Sequence, residues 1–184
     1  MRKIKNEELL EERAAWLESL MEEYGERLTG LSYNYVKDWK QAEDIVQDVF
    51  VQCYQNYEKS VAVASIKAWL YRIAINKSKD LLKSAGFKRV IRDSNLFAFF
   101  TSWELSPEKD LLKRSEEEFL SRSVLLLPIK YREVITLYYY EECSIEEISA
   151  LLGTNQNTIK TRLNRGREKL KKMMERGGYD GEET

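Results

Sequence analysis

The segment from Ser144 to Arg167, SIEEISALLGTNQNTIKTRLNRGR, constrains the fold of this chain more than any other stretch. Ser144 followed three residues later by Glu147 is typical of a capping box, which begins a helix. Gly153 can supply the left-handed residue that ends this helix, and Asn155 can cap a second one. The second helix is rich in Lys and Arg. Two helices joined by a tight turn, the second of them basic, predict a helix-turn-helix that enters a DNA major groove.

The apolar positions of this segment repeat at helical spacing, which predicts one buried side on each helix. These positions are Ile145, Ile148, Leu151 and Leu152 in the first helix and Ile159, Leu163 and Leu170 in the second. The alternative is a plain helical hairpin whose basic face is only solvated. The turn spacing and the two caps favour the helix-turn-helix.

Composition excludes several classes of function. The chain contains no histidine, which rules out Ser-His-Asp and Cys-His catalysis and His-ligated zinc. Cys53 and Cys143 lie far apart among apolar helical positions, so we predict buried free thiols that suit a reducing cytoplasm. The sequence shows no Gly-rich phosphate loop, no signal-peptide pattern and no apolar run long enough to span a membrane. We therefore expect a cytoplasmic binding protein that is not an enzyme, with no metal and no cofactor.

Charge is distributed unevenly along the chain. Lys and Arg number 30 against 31 Asp and Glu, which gives a net charge of −1. Residues 1–26 are rich in Glu, whereas residues 67–89 and 160–176 are rich in Lys and Arg. Because a phosphate backbone meets the local field and not the net charge, the two basic segments are candidate nucleic-acid surfaces.

Helical periodicity dominates the chain, and only two prolines occur, so we predict an all-α fold. The fold is expected to contain two small helical domains joined by a flexible linker. The predicted boundaries are 1–85 for the first domain, 86–112 for the linker, 113–176 for the second domain and 177–184 for a frayed tail.

Two amphipathic helices of the first domain carry candidate functional faces. The stretch AEDIVQDVFVQCY has an apolar stripe and an opposite face that contains Asp44, Gln47 and Asp48. Breaks in the preceding helical block are expected near Gly30 and near residues 38–40. A further helix is predicted from about residue 66 to residue 83, after a short polar loop. Its outer stripe, which serves either nucleic-acid binding or solubility alone, consists of Arg72, Asn76, Lys79 and Lys83.

The linker contains an apolar cluster of Leu96, Phe97, Phe99, Phe100 and Trp103. Either the cluster packs on one of the domains or it is a docking surface, and we favour the first interpretation.

In the second domain, Pro128 is expected to begin or precede a helix. The predicted buried side of that helix consists of Ile129, Tyr131, Val134, Ile135, Leu137, Tyr138 and Tyr139.

Three of these segments occur in one order: AEDIVQDVFVQCY, WLYRIAINKSKDLLK and LPIKYREVITLYYYEECSIEEISALLGTNQNTIKTRLNRGREKL. Together they resemble the extracytoplasmic-function (ECF) group of bacterial RNA polymerase sigma factors, over roughly residues 17–174 without the linker. The resemblance implies a sigma region 2-like domain followed by a sigma region 4-like helix-turn-helix domain. It implies a sigma factor that directs core polymerase to specific promoters and aids promoter melting. One departure is Asn157-Thr158-Ile159, where the family often has Gly-Thr-Val.

The resemblance also implies roles for individual residues. Binding to core polymerase is implied for Asp44, Gln47 and Asp48. Contacts to the downstream promoter element are implied for Arg72, Asn76, Lys79 and Lys83, with the loop at 57–65 receiving a flipped base. In the major groove of the upstream element, Lys160, Thr161, Asn164 and Arg165 would face bases, and Asn157, Thr158 and Arg162 would touch phosphates. An arginine such as Arg165 can bind a guanine through two hydrogen bonds.

The implied partners are the β′ clamp helices and β flap of core RNA polymerase, double- and single-stranded promoter DNA, and an anti-sigma factor. No small-molecule substrate is implied. On the residues alone, two other functions stay open. One is a dimeric helix-turn-helix regulator with a ligand-sensing N-terminal domain, and the other is a helical adaptor that does not read DNA.

Overall fold

A computed structural model describes residues 2–84 and 116–179, with side chains from residue 9 onward. The predicted aromatic cluster of the linker lies outside the described residues. Every regular element in the described ranges is helical, as the periodicity predicted. The chain divides into two compact units, Met1–Asp80 and Leu81–Thr184, and each unit has its own buried core.

The first unit is built around a pair of packed helices. Its elements are α1 (Arg2–Val36), α2 (Trp39–Gln55), the short α3 (Tyr57–Val61) and α4 (Ile66–Lys83), whose last turn crosses the division between the units. α1 packs along α2. The core is formed by apolar side chains of α1, α2 and α4, among them Leu20, Leu28, Leu31, Val49, Phe50, Cys53, Leu70, Tyr71 and Ala74.

The expected break near Gly30 is wrong, because α1 continues through it. Leu28 and Leu31 are 0% and 1% exposed, and burial of two leucines outweighs the cost of about 1 kcal/mol for a glycine inside a helix. The second expected break is confirmed. Lys37 adopts a left-handed φ of 57°, and the side chain of Asp38 caps α2.

The region between α2 and α4 is more regular than predicted. It contains α3 in place of the first part of the expected polar loop. The predicted helix at 66–83 is confirmed as α4, and the Ser65 hydroxyl accepts a hydrogen bond from the Ala68 amide at 3.2 Å. This bond satisfies one of the amides that a helix leaves without a partner in its first turn.

The second unit also consists of helices. They are α5 (Glu116–Leu126), α6 (Ile129–Ile135), a π-helical turn (Thr136–Tyr140) that continues α6, α7 (Ile145–Leu152) and α8 (Gln156–Arg176). α8 contacts all three other α-helices of this unit. The core is formed by Phe119, Val124, Leu127, Tyr131, Val134, Ile135, Leu137, Ile148, Ile159 and Leu163.

The buried side predicted for α6 is partly wrong. Ile129 and Tyr139 are exposed, whereas Arg132 and Glu133 are buried. The π-helical turn explains the exposure of Tyr139, because residues beyond Ile135 leave the 3.6-residue spacing on which the prediction depended. Ile129 is the first residue of α6. Arg132 is accommodated because its guanidinium donates to the carbonyl oxygen of Leu125 at 2.6 Å.

The residues after α8 fold back onto α5. The rings of Phe119 and Tyr179 lie 4.9 Å apart, and the Tyr179 amide donates to the Met174 carbonyl at 3.0 Å. At Gly177, an added Cβ would lie 2.3 Å from Cζ of Phe119. The start of the segment that was expected to be a frayed tail therefore contacts the core, and residues 180–184 lie outside the described residues.

The two cysteines are buried and free, as predicted. Burial raises the pKa of the Cys53 thiol to about 12, so this thiol stays protonated at neutral pH. Among the described helices, none combines the length and apolar character that a membrane span requires.

Candidate nucleic-acid interface

The capping pattern read from the sequence is present in the second unit. The Ser144 hydroxyl accepts a hydrogen bond from the Glu147 amide at 3.2 Å, and the Glu147 carboxylate accepts one from the Ser144 amide at 2.7 Å. Gly153 ends α7 with a left-handed φ of 61°. The Asn155 side chain then caps α8 by accepting from the Thr158 amide at 2.8 Å. These contacts establish the helix-turn-helix.

α8 is held closely against the helices before it. Ile148 of α7 and Ile159 of α8 are 0% exposed, and Leu163 is 2% exposed. At Gly166, an added Cβ would lie 3.0 Å from Cγ1 of Ile135, which shows how closely α8 approaches α6. Because its apolar side is buried in this way, the opposite face of α8 has a fixed orientation.

The predicted base-facing residues lie on the exposed face of α8. Lys160, Thr161, Asn164 and Arg165 are all exposed. The predicted phosphate-contacting residues differ in their exposure to solvent. Asn157 is exposed, Thr158 is half-buried, and Arg162 is half-buried and paired.

Arg162 is anchored inside the unit. Its guanidinium nitrogen lies 3.1 Å from Oε1 of Glu133, and the two side chains are 26% and 6% exposed. Arginine has five N–H donors, so the pair with Glu133 leaves further donors on the solvent side.

A polar concavity of about 340 Å³ lies where the start of α8 meets α6. Its lining includes five of the predicted α8 residues, together with Lys130 and Tyr131 of α6, which were not predicted as site residues. The α8 residues are Asn157, Thr158, Thr161, Arg162 and Arg165.

In the first unit, the predicted downstream stripe lies along α4. Arg72, Asn76 and Lys83 are exposed. Lys79 is half-buried, and its Nζ lies 5.8 Å from the ring centroid of Tyr35, so a cation–π contact orients it. The spacing predicted from the sequence thus places the four side chains along one side of the helix.

The segment that was expected to receive a base begins at a covered tyrosine. The ring of Tyr57 meets the ring of Trp16 edge-on at 5.1 Å, and the Arg13 guanidinium lies 4.9 Å from its centroid. These contacts fix the start of α3. Val61, near its end, is 50% exposed.

The predicted polymerase-binding residues lie on α2. Asp44, Gln47 and Asp48 are exposed, and Oδ2 of Asp48 lies 3.0 Å from Nζ of Lys77 in α4. Gln47 also borders an apolar groove of about 680 Å³ between α1 and α2. The groove is lined by apolar side chains that include Leu17, Met21, Val46, Phe50, Val51 and Tyr54.

Comparison with known proteins decides the family. The family profile of sigma-70 region 2 matches residues 20–87, and that of sigma-70, region 4 matches residues 120–170. The chain is 31% identical over 162 residues to the ECF RNA polymerase sigma factor SigW of Bacillus subtilis (strain 168). This match covers 82% of this chain and 84% of that protein. This chain belongs to the ECF sigma factors. It is also 29% identical to the RNA polymerase sigma-H factor of Pseudomonas aeruginosa, over 85% of this chain and 84% of that one.

The fold of this sigma factor matches solved structures at lower sequence identity. One is the sigma factor RpoE of Bartonella quintana in complex with the anti-sigma factor NepR, with a TM-score of 0.63 and 20% identity. That match covers 86% of this chain and 96% of the other. A second is CnrH in complex with the cytosolic domain of CnrY, with a TM-score of 0.60, 23% identity, and coverage of 86% and 87%.

As an ECF sigma factor, the protein is a non-catalytic subunit of RNA polymerase that directs transcription initiation. The region 2 match contains α2, α3 and α4, and the region 4 match contains the helix-turn-helix. Candidate site residues therefore occur in both matched regions.

One cation of α8, Arg167, contacts two tyrosines of the second unit. Nε of Arg167 donates to the Tyr139 hydroxyl at 2.7 Å, and its guanidinium lies 5.6 Å and 5.5 Å from the ring centroids of Tyr138 and Tyr139. The π-helical turn brings these tyrosines to α8. No periodicity in the sequence signals that contact.

Proposed function

We propose that α8 of this sigma factor reads the upstream promoter element in the major groove. The observation that carries this proposal is the exposed polar face of α8, which carries Lys160, Thr161, Asn164 and Arg165 and is held by the buried contacts of α6 and α7. A rigid basic helix of this kind fits the groove and presents its side chains to base edges. Arg165 donates to a guanine, and Asn157, Thr158 and Arg162 contact phosphates beside it.

α4 binds the downstream element of the same promoter. Its stripe of Arg72, Asn76, Lys79 and Lys83 contacts phosphates and the non-template strand. The segment from α3 to the start of α4 accepts one unpaired base, and the exposed Val61 supports this because captured bases need an apolar wall. Strand capture of this kind offsets the cost of unpairing and aids melting.

The outer face of α2 binds the β′ clamp helices of core polymerase. The negative charges of Asp44 and Asp48 steer the encounter with the polymerase and fix the alignment of the two surfaces. The apolar groove beside Gln47 adds surface that can be buried on docking. The second unit engages the β flap. The chain works in the bacterial cytoplasm, where its polymerase is found.

An anti-sigma factor holds this sigma factor inactive. One solved structure with this fold is a complex of the sigma factor RpoE with the anti-sigma factor NepR, which supports the proposal.

The experiment is a reconstituted transcription reaction with purified core polymerase and this chain. Start sites are first mapped in a bacterium that overexpresses the chain, and the templates are then transcribed in vitro. We expect the chain to confer initiation at sites that share two sequence elements at fixed spacing. A reaction in which core polymerase gains no start-site preference would contradict the proposal.

The same templates separate the alternatives. A dimeric regulator binds a palindromic duplex tightly without polymerase. An adaptor without DNA recognition binds core polymerase but changes no start site.

A further inference from the structure

The concavity between α6 and α8 has the chemistry of an anion site. Lys130, Arg162 and Arg165 line it, together with two threonines, and none of its described lining residues is acidic. Three cations around one polar concavity attract an anion strongly unless a carboxylate neutralises them. Glu133 pairs with Arg162 at 3.1 Å from the buried side of the concavity.

The start of α8 adds to this positive field. Asn157, Thr158 and Thr161 belong to its first two turns and line the same concavity. The N-terminal end of a long helix carries a partial positive charge and amides that lack helical partners. Asn155 satisfies the Thr158 amide and holds the turn in place.

Tyr131 connects the cations of the two helices. It is 8% exposed and still lines the concavity, and its ring centroid lies 5.0 Å from Nζ of Lys130 and 5.9 Å from Nζ of Lys169. Burial raises the pKa of its hydroxyl, but the positive charge of Lys130 and hydrogen bonds from Arg165 and Lys130 outweigh burial and lower it. The hydroxyl thus lies among cations, and Tyr131 and Arg165 line the same concavity.

We propose that this concavity clamps one phosphate of the DNA backbone, with Lys130 as a phosphate contact from α6 and Tyr131 as a positioning residue for Arg165. The proposal rests on the proposed role of α8 at the upstream element, and it adds α6 to the protein–DNA interface. The clamp sets the depth and register of α8 in the groove, because phosphate contacts position a protein on DNA and base contacts specify the sequence.

The test measures binding of the reconstituted holoenzyme to a duplex that carries a promoter found by start-site mapping, at several KCl concentrations. Lys130→Gln should lower the slope of log K against log[KCl] by about 0.9 and weaken binding about five- to tenfold at 0.1 M salt. The control is Arg122→Gln, which removes the same charge from α5. Arg122 pairs with Glu118 within α5. Phe119 of the same helix lies against Gly177, at the end of α8 that is far from the concavity. The proposal is overturned if the two variants have equal slopes.

A phosphate scan locates the clamp. Duplexes with one uncharged methylphosphonate at successive backbone positions should reveal one position where the wild-type holoenzyme loses about fivefold in affinity. The holoenzyme with Lys130→Gln should show no further loss of affinity when the methylphosphonate is at that position. If the losses of affinity from the methylphosphonate and from Lys130→Gln add together at every position, Lys130 contacts no phosphate.

Two further variants distinguish a failure of the phosphate clamp from a failure of the proposed base reading by α8. Tyr131→Phe keeps the buried ring and should reduce the discrimination between the promoter and a duplex with one substituted base pair, with the salt slope unchanged. Arg165→Ala should abolish that discrimination at the same base pair. If Arg165→Ala abolishes it and Lys130→Gln has no effect on the slope, the clamp alone is wrong. If Arg165→Ala leaves discrimination intact, the assigned role of α8 is wrong.

Discussion

Glu133 of α6 and Arg162 of α8 form an ion pair at 3.1 Å, and the Glu133 side chain is only 6% exposed. The pair joins the helix that precedes the helix-turn-helix to the helix that carries the candidate base-reading residues. A buried carboxylate is costly without its counter-ion, so the pair favours one rotation of α8 about its own axis. Its contribution is therefore to orientation more than to net stability.

Removing the two partners of this pair should have unequal effects. Arg162→Met removes the ion-pair partner of a buried carboxylate and should lower the free energy of unfolding by about 3 kcal/mol. Glu133→Gln leaves Arg162 able to reach solvent and should cost about 1 kcal/mol. Urea unfolding of each variant measures the difference. The double variant should be more stable than Arg162→Met alone, and an equal or lower stability would contradict the assignment.

Arg165→Ala should weaken recognition of one base pair in the upstream element. The loss of a bidentate contact costs about 1–3 kcal/mol of discrimination, which is roughly 5- to 150-fold in relative affinity. Run-off transcription on the promoter and on duplexes substituted at each position measures it. Lys172→Ala, which removes a cation from the same helix further from its start, should leave the order of preferred bases unchanged.

Asp48→Asn should weaken binding to core polymerase without unfolding the first unit. Its pair with Lys77 is at the surface, with Asp48 65% exposed, so its loss costs at most about 1 kcal/mol of stability. Competition with a labelled sigma factor for core polymerase measures the affinity. Glu58→Gln, which removes one negative charge from exposed α3, is the matched control. Equal affinities for the two variants would place the polymerase contact elsewhere.

Gly30→Ala should stabilise the first unit by about 1 kcal/mol. α1 is helical at this position, and an added Cβ meets nothing within 4 Å. Alanine therefore removes the helix cost of glycine without a clash. Thermal unfolding followed by circular dichroism measures the shift, and a lower midpoint would show that α1 breaks at Gly30 after all.

Gly177→Ala should destabilise the second unit by about 1–3 kcal/mol, because the new methyl group would lie 2.3 Å from Cζ of the buried Phe119 ring. Urea unfolding measures the loss. In a background of Phe119→Leu, which removes the clashing atoms, the same substitution should cost clearly less. An undiminished cost in that background would assign the effect to the backbone of Gly177.

Much of the helix-turn-helix was predictable because its signals are local. The capping box at Ser144, the left-handed Gly153 and the cap at Asn155 each depend on residues within a few positions, and all three are confirmed. The periodicity of α2 and α4 is local in the same sense. Gly30 shows the opposite case, since its weak local preference for a break is overridden by the burial of Leu28 and Leu31 in another part of the fold.

For the candidate site, only the exposed residues of a single helix could be predicted from the sequence. The family resemblance indicated Lys160, Asn164 and Arg165 as base-facing residues, and all three are exposed on α8. Spacing alone could not show that Lys130 and Tyr131 border the same concavity, because they reach it through the packing of α6 on α8. The pairing of Arg167 with Tyr139 was hidden for the same reason.

The order of residues by itself determined that the chain is helical, where its helix-turn-helix begins and turns, and to which family it belongs. Those properties depend on short-range hydrogen bonds, on helical periodicity and on residue identity at matched positions. Only the tertiary structure decided which cations are anchored and which face solvent, since this depends on partners about thirty residues away, such as Glu133 for Arg162. Contacts between helices depend on packing geometry that no local pattern encodes.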